Sequence, residues 1–307
     1  MSSVTEPTPQ VTVVGSVNRD VVVRVPQLPR PGETLAARGT SERIGGKGAN
    51  QAVAAARLGA RTCWVGAVGH DGADVLAALE AHGIDVGSAV RVEDVRTGTA
   101  LVFVEDSGEN MVVIDAGANG RIRPEDLPRR ITGALLLQHE VPATVIDRAL
   151  LAADGLTILN PAPWRPVAAE TLSRVDVLVV NATELAELTG RPVPRDAAAA
   201  ADAVAALDAV PTVVTTLGAG GAVIRHHGDT RHLAAPSVPS HDTVGAGDTF
   251  CGALAVALVE GADMVEAARF AVHAASIAVS RPGGQEAMPT AEEVHAFLQA
   301  GTAPAVP

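Results

Sequence analysis

The run Asp242-Thr243-Val244-Gly245-Ala246-Gly247-Asp248 gathers a carboxylate and several backbone N–H groups at one point of the chain. Behind it, Phe250, Leu254, Ala257 and Leu258 recur at helical spacing and predict one apolar helix face. Gly245 and Gly247 then fall at a helix start, where the first N–H groups have no intrahelical acceptor and missing Cβ atoms leave room for an anion. A fixed carboxylate beside a bound phosphate is repulsive unless it has a task. Asp248 has one if it takes the proton of a hydroxyl that attacks that phosphate. Alone, the same run is equally a tight loop with Asp248 as a helix-start charge.

A second constellation stands near the N-terminus. Gly15-Ser16-Val17-Asn18-Arg19-Asp20 follows a buried-strand pattern, and Gly45-Gly46-Lys47-Gly48-Ala49-Asn50 leads into a helix of small residues over 51–58. Asn18, Asp20, Lys47 and Asn50 supply amide, carboxylate and ammonium groups suited to vicinal hydroxyls. No Gly-x-x-x-x-Gly-Lys-Ser/Thr run occurs, so a P-loop is not the route to a nucleotide.

The elements that must position these groups read as α/β. Apolar strands at 11–17, 62–68, 134–137, 157–159, 175–180 and 212–216 alternate with helical segments, which predicts a parallel sheet with helices on both faces. The alanine-rich stretch 196–207 predicts a helix opened by Asp196. Two stretches depart from the pattern. Residues 20–25 form a short β-branched run, and 101–104 with 111–114 flank Asp106-Ser107-Gly108-Glu109 as a β-hairpin. Both fit a small second sheet, whose exposed edge invites pairing with another chain.

With 307 residues, 47% of them hydrophobic, the chain can bury a large core. Residues 1–10 and 300–307 read as flexible ends without an apolar signal core, and no apolar run is long enough to span a bilayer. The expectation is a soluble, cytoplasmic protein with one domain over 11–299 and inserted segments at about 18–43 and 97–116. A net charge of −12 argues against nucleic-acid binding. Cys63 and Cys251 fit buried free thiols, and His226, His227 and His232 fit an exposed hairpin turn around Gly228 and Asp229 rather than a metal cluster. Trp64 and Trp164 fit packing roles.

Taken together these runs resemble the PfkB carbohydrate kinase family, over residues 11–298. The resemblance is carried by Pro31-Gly32-Glu33-Thr34, Gly45 to Asn50 continued by Gln51-Ala52-Val53-Ala54-Ala55, Asp115-Ala116-Gly117-Ala118-Asn119, Asn160-Pro161-Ala162-Pro163, Asn181-Ala182-Thr183-Glu184 and Gly245-Ala246-Gly247-Asp248. It implies a three-layer α/β/α domain with a mainly parallel central sheet and a small β-sheet lid, which in some members also clasps a homodimer. It implies ATP-dependent phosphorylation of a small sugar, D-ribose to D-ribose 5-phosphate first. Another pentose, a deoxyribose, a ketohexose derivative, a nucleoside, or a sugar sensor without catalysis remain the alternatives.

Residue by residue, the resemblance makes Asp248 the base and Gly245, Ala246 and Gly247 the anion hole. Asn18, Asp20, Gly46, Lys47, Asn50 and Glu140 become the sugar contacts, together with Asp248. Asn181 and Glu184 go to the phosphate and Mg²⁺ region, and Thr216, Gly218, Ala219, Gly220 and Gly221, with Gly247, to ATP. By itself the loop Thr216 to Gly221 reads as an ordinary tight turn. A K⁺ site would involve Asp242, Val244, Ala278, Arg281, Gly283 and Ala287, mostly through backbone carbonyls. Ala182 stands where the family often has glutamate and Ala287 where serine is common, and Pro282 is unusual in its loop.

Overall fold

The computed structural model describes residues 10–106 and 110–300, so the two terminal expectations, apart from residues 10 and 300, lie outside the described residues. The larger sheet contains β1 (Gln10–Val14), β4 (Arg61–Val65), β7 (Ala134–Gln138), β8 (Thr157–Asn160), β9 (Val177–Asn181), β10 (Thr212–Thr216), β11 (Ala222–His226) and β12 (Asp229–Leu233). The smaller contains β2 (Asn18–Val25), β3 (Gly39–Gly45), β5 (Gly98–Glu105) and β6 (Asn110–Asp115). The helices are α1 (Lys47–Arg57), α2 (Ala73–Ala81), α3 (Ala143–Ala152), α4 (Ala169–Leu172), α5 (Ala182–Thr189), α6 (Ala197–Val204), α7 (Ala246–Val259), α8 (Met264–Val279) and α9 (Ala291–Ala300).

Strands of the larger sheet run in the order β12-β11-β10-β9-β8-β7-β1-β4. The six from β4 to β10 are parallel, and β11 and β12 close the edge antiparallel. Side chains alternate across the strands. Val11, Val13, Leu136, Ile158, Val177 and Val179 pack toward α1, α2, α7, α8 and α9. Val14, Leu135, Leu137, Leu159, Leu178 and Val180 pack toward α3, α5 and α6. Burial on both faces is why the strands read as continuous apolar runs, and it makes the architecture three layers, α/β/α, as expected.

The smaller sheet has the order β3-β2-β5-β6, with β2 and β5 parallel and both outer pairs antiparallel. The β5–β6 hairpin is as expected, although its turn residues 107–109 lie outside the described residues. Two expected boundaries shift for identifiable reasons. The strand expected at 11–17 ends at Val14, because Val17 gives its N–H to Asn119 Oδ1 and takes Asn119 Nδ2 on its carbonyl instead of pairing in the large sheet. The strand expected at 62–68 breaks at Gly66, whose carbonyl accepts Val90 N–H, and residues Ala67–Gly69 pair with Val90–Val92. Helix α1 begins at Lys47, ahead of the expected 51, and α6 stops at Val204, short of 207, with Asp196 capping Ala199 N–H as expected.

Helix α7 departs from the one-faced pattern: all residues from Asp248 to Ala257 are buried, because α1 lies on one side and α8 on another. The α1–α7 approach depends on Gly252. A Cβ there would fall 2.7 Å from Ala54 Cβ and 2.9 Å from the Gln51 carbonyl oxygen. No helix among the described residues is long and apolar enough to cross a membrane. Gly252→Val is expected to wedge α1 from α7, lowering stability by about 1–3 kcal/mol in urea unfolding. Turnover should fall with it, since the wedge separates the residues described next.

Candidate active site

Parallel strands deliver their C-terminal ends to one edge, where α/β folds bind ligands. Here that edge carries Gly15 and Ser16 after β1, Gln138 and Glu140 at and after β7, Asn160 on β8, Asn181 on β9 and Thr216 on β10. Helices α1 and α7 add their N-termini. Neither has a side-chain cap: Gly46 (φ 87°) precedes α1 and Gly245 (φ 76°) precedes α7. Gly46 is also a close-approach position, since a Cβ would come within 2.8 Å of Asn18 N and Val17 Cα.

Asp248 sits in the first turn of α7, 7% exposed. Asn50 Nδ2 donates to its Oδ2 at 2.9 Å and Gln51 Nε2 to its Oδ1 at 3.1 Å. Behind Gln51, Gln138 Nε2 donates to Gln51 Oε1 at 2.6 Å; behind Asn50, Gln285 Nε2 donates to Asn50 Oδ1 at 3.0 Å. Of the three expected anion-hole donors, Ala246 N–H reaches the Thr243 carbonyl at 3.3 Å. Gly245 and Gly247 N–H have no protein acceptor among the described residues, and a Cβ on Gly247 would meet nothing within 4 Å. The space over Gly247 is open, as an anion needs.

The residues expected on the sugar side lie close to one another. Asn18 is buried, its Oδ1 accepting Asn119 Nδ2 at 2.8 Å. Asp20 lies over Gly45, with Oδ1 buried and unpartnered. Glu140 accepts the Ser16 hydroxyl and, at 2.9 Å, Lys47 N–H. Burial, partly offset by Arg43 and reinforced by Glu140 and Asp248, pushes the Asp20 carboxyl up to about 6. The charge of Asp248 is the largest influence on Lys47, whose ammonium is held above its usual range, with Glu140 and Glu184 acting the same way. Burial chiefly raises Glu184. Four carboxylates thus sense one another or one ammonium across a common space.

Asn181 and Glu184 have a local explanation. They form a reciprocal capping box on α5, Glu184 N–H to Asn181 Oδ1 at 2.8 Å and Asn181 N–H to Glu184 Oε2 at 2.9 Å. Glu184 Oε1 and Asn181 Nδ2 have no hydrogen-bond partner among the described residues. Thr216 to Gly221 is a turn between β10 and β11, closed by Leu217 N–H on the Gly221 carbonyl and braced by His232 on the Gly220 carbonyl; Gly218, Ala219 and Gly220 are exposed. It makes no hydrogen bond to the Asp248 cluster. Strand β10 lies four inter-strand spacings from β1, roughly 19 Å.

The expected cation residues form a second group. Asp242 Oδ1 accepts Val244 N–H, while His241 and Asp242 N–H reach the Val279 carbonyl at the end of α8. The carbonyl of Ala278 accepts Arg281 N–H, and Ala287 is buried without a polar side chain. The Arg281 guanidinium is paired with Glu293 through both terminal nitrogens; Gly283 adopts φ 103°. Among the described residues no three His, Cys, Asp or Glu side chains cluster as a metal site.

The three histidines lie on the expected hairpin: His227 is exposed in the turn and His232 exposed on β12, whereas His226, on β11, departs from the expectation by being half-buried and bonded to Thr212. Cys63 and Cys251 are free, the former half-buried and the latter fully buried; Trp64 is a core residue and Trp164 half-buried in a loop. Sequence reasoning gave no role to Gln51, Gln138, Asn119, Asn160, Ser16 and Gln285. The first five stand in or beside the matched motifs, and buried amides in apolar company were the available signal. Gln285 carried none.

Because folded Asp20 holds its proton more tightly than the unfolded chain, its ionised form is destabilising. That cost is present above about pH 6, shrinks as the pH falls, and is gone below the ordinary carboxylate value near 3.8. Asp20→Asn is therefore expected to melt at a higher temperature than the parent at pH 8 without sugar. The difference should close between pH 6 and 4, while sugar affinity falls.

The description "pfkB family carbohydrate kinase" matches residues 8–291. The chain is 38% identical over 299 residues to a ribokinase of Haemophilus influenzae, covering 94% of this chain and 98% of that protein. It is 37% identical over 302 residues to a ribokinase of Bacillus subtilis, covering 94% and 99%. The solved structure of Arabidopsis thaliana ribokinase complexed with ribose and ATP superposes with a TM-score of 0.86 at 33% identity, covering 95% and 99%. The chain belongs to the pfkB family of carbohydrate kinases.

Proposed function

We propose that this protein transfers the γ-phosphoryl group of ATP to the primary hydroxyl of D-ribose, giving D-ribose 5-phosphate. The observation that carries the reading is Asp248, a buried carboxylate set beside the N–H groups of Gly245 and Gly247, which have no acceptor among the described residues, and facing the Asp20, Lys47, Asn50 and Glu140 cluster. Similarity to ribokinases from two bacteria and to a ribose- and ATP-bound plant structure supports it.

Sugar hydroxyls would replace the missing partner of Asp20 Oδ1 and take the second N–H of Asn50. A hydroxyl is much less acidic than a carboxylic acid, so Asp248 orients the nucleophile and receives its proton late. The Gly245 and Gly247 N–H groups meet the charge on the transferred group; one such donor is worth roughly 3 kcal/mol in other enzymes. Lys47, which forms no ion pair within 4 Å among the described residues, would grip sugar hydroxyls. ATP would extend from Asp248 along the sheet edge past Asn181 to the Thr216–Gly221 turn. Mg²⁺ suits Glu184 Oε1 acting with phosphate oxygens and water, and it shields phosphate charge when bound. The carbonyls and single carboxylate around Asp242 fit K⁺. In this reading the enzyme works in the cytoplasm.

Leu101, Met111, Val112, Val113 and Ile114 are exposed on the smaller sheet. Their apolar surface supports that sheet as both lid and homodimer contact. Light scattering should give a dimer, and Val113→Glu a monomer.

ADP release from MgATP with a panel of sugars and nucleosides tests the activity. Fastest turnover on D-ribose, increased by K⁺, is expected; preference for deoxyribose or a nucleoside would overturn the substrate, and silence across the panel the kinase reading. Asp248→Asn should lose at least about a thousandfold in kcat while still binding ribose by calorimetry.

A further inference from the structure

Asp248 is held by two side-chain amides, and each of these is held by another amide from a different part of the chain. Gln51 and Gln138 form the inner arm, both fully buried. The outer arm runs from Gln285, in the loop between α8 and α9, through Asn50 to Asp248 Oδ2. We propose that Gln285 is a positioning residue for Asp248, fixing the Asn50 carboxamide with its N–H rather than its carbonyl toward the carboxylate. The inference rests on Asp248 being the proton acceptor.

A carboxamide has nearly the same shape in its two flipped orientations, so packing does not choose between them; hydrogen-bond partners do. Reversed, Asn50 would set Oδ1 against Asp248 Oδ2, two acceptors without a proton, and its N–H₂ against the donor Gln285 Nε2. The carboxylate end selects the orientation, and Gln285, with Nε2 toward Asn50 Oδ1, reinforces it at the other end. Asn50 then keeps one N–H for Asp248 and presents the other to substrate.

The backbone that carries Gln285 is well fixed. Gln285 is 8% exposed in a single 3₁₀ turn, Gln285–Ala287. Three residues further on, Arg57 of α1 donates to the Met288 carbonyl at 2.7 Å. The loop is thus tied to α1 at two points, Asn50 and Arg57, and the Arg281–Glu293 ion pair anchors its start to α9. Gln285 does not touch Asp248 and acts only through Asn50.

The test compares Gln285→Met, which keeps length and loses the donor, with Gln285→Glu, which has a donor only when protonated. Gln285→Met is expected to lower kcat about ten- to a hundredfold, with the sugar KM within about threefold and cooperative melting retained. For Gln285→Glu, the ratio of its kcat to the parent's should rise as the pH falls from 8 to 6; the ratio cancels the parent's own pH dependence. A kcat within threefold of the parent for Gln285→Met, or a pH-flat ratio for Gln285→Glu, would overturn the proposal, and the Glu variant decides if the Met variant fails to fold. Asp248→Asn measured alongside separates the two readings. If it retains near-parental turnover the base assignment fails, whereas an inactive Asp248→Asn with an unimpaired Gln285→Met removes the positioning role alone.

Discussion

A buried carboxylate must have hydrogen-bond donors, and the architecture around Asp248 follows from supplying them. The donors come from Asn50 and Gln51, adjacent residues in the first half of α1. For both to reach, α1 and α7 must pack closely, which is why Gly252 faces Ala54 and the Gln51 carbonyl. Neutral amides do this better than a lysine or arginine would. They orient the carboxylate without clamping its charge in an ion pair, so that it is free to accept a proton.

The same reasoning covers Lys47. Its ammonium is influenced by Asp248, Glu140 and Glu184 yet forms no ion pair within 4 Å among the described residues. The nearby carboxylates keep this ammonium charged, and without an ion pair its N–H groups stay available to a ligand. Asp20, forced toward its neutral form by burial, stores an unfavourable charge that hydroxyl donors would relieve. The site gives up some stability in the empty enzyme, as functional sites commonly do.

The smaller sheet is joined to the larger one through a short, heavily bonded junction. Asn119 bonds Val17 at both N–H and carbonyl and also meets Asn18. Arg19 pairs with Asp71 and Asp74 beside α2, and Asp71 in turn takes Thr97 and Arg96, which holds its carboxyl far below the usual range. Strands β2 and β5 therefore leave the main domain from a fixed base, which sets where Asn18 and Asp20 stand.

The sequence by itself determined the layered α/β fold, since strands buried on both faces must be apolar throughout. It also pointed to the glycine-led helix starts, the base candidate Asp248 and the candidate sugar-side group Asn18, Asp20, Lys47 and Asn50, because motif spacing and side-chain chemistry are local properties. Only the tertiary structure decided which amides hold Asp248. It alone brought Gln285 to Asn50, across 235 positions of chain. Hydrogen bonds between residues so far apart have no periodicity and no composition signal; they exist only once close-packed helices have brought the two ends of the chain together.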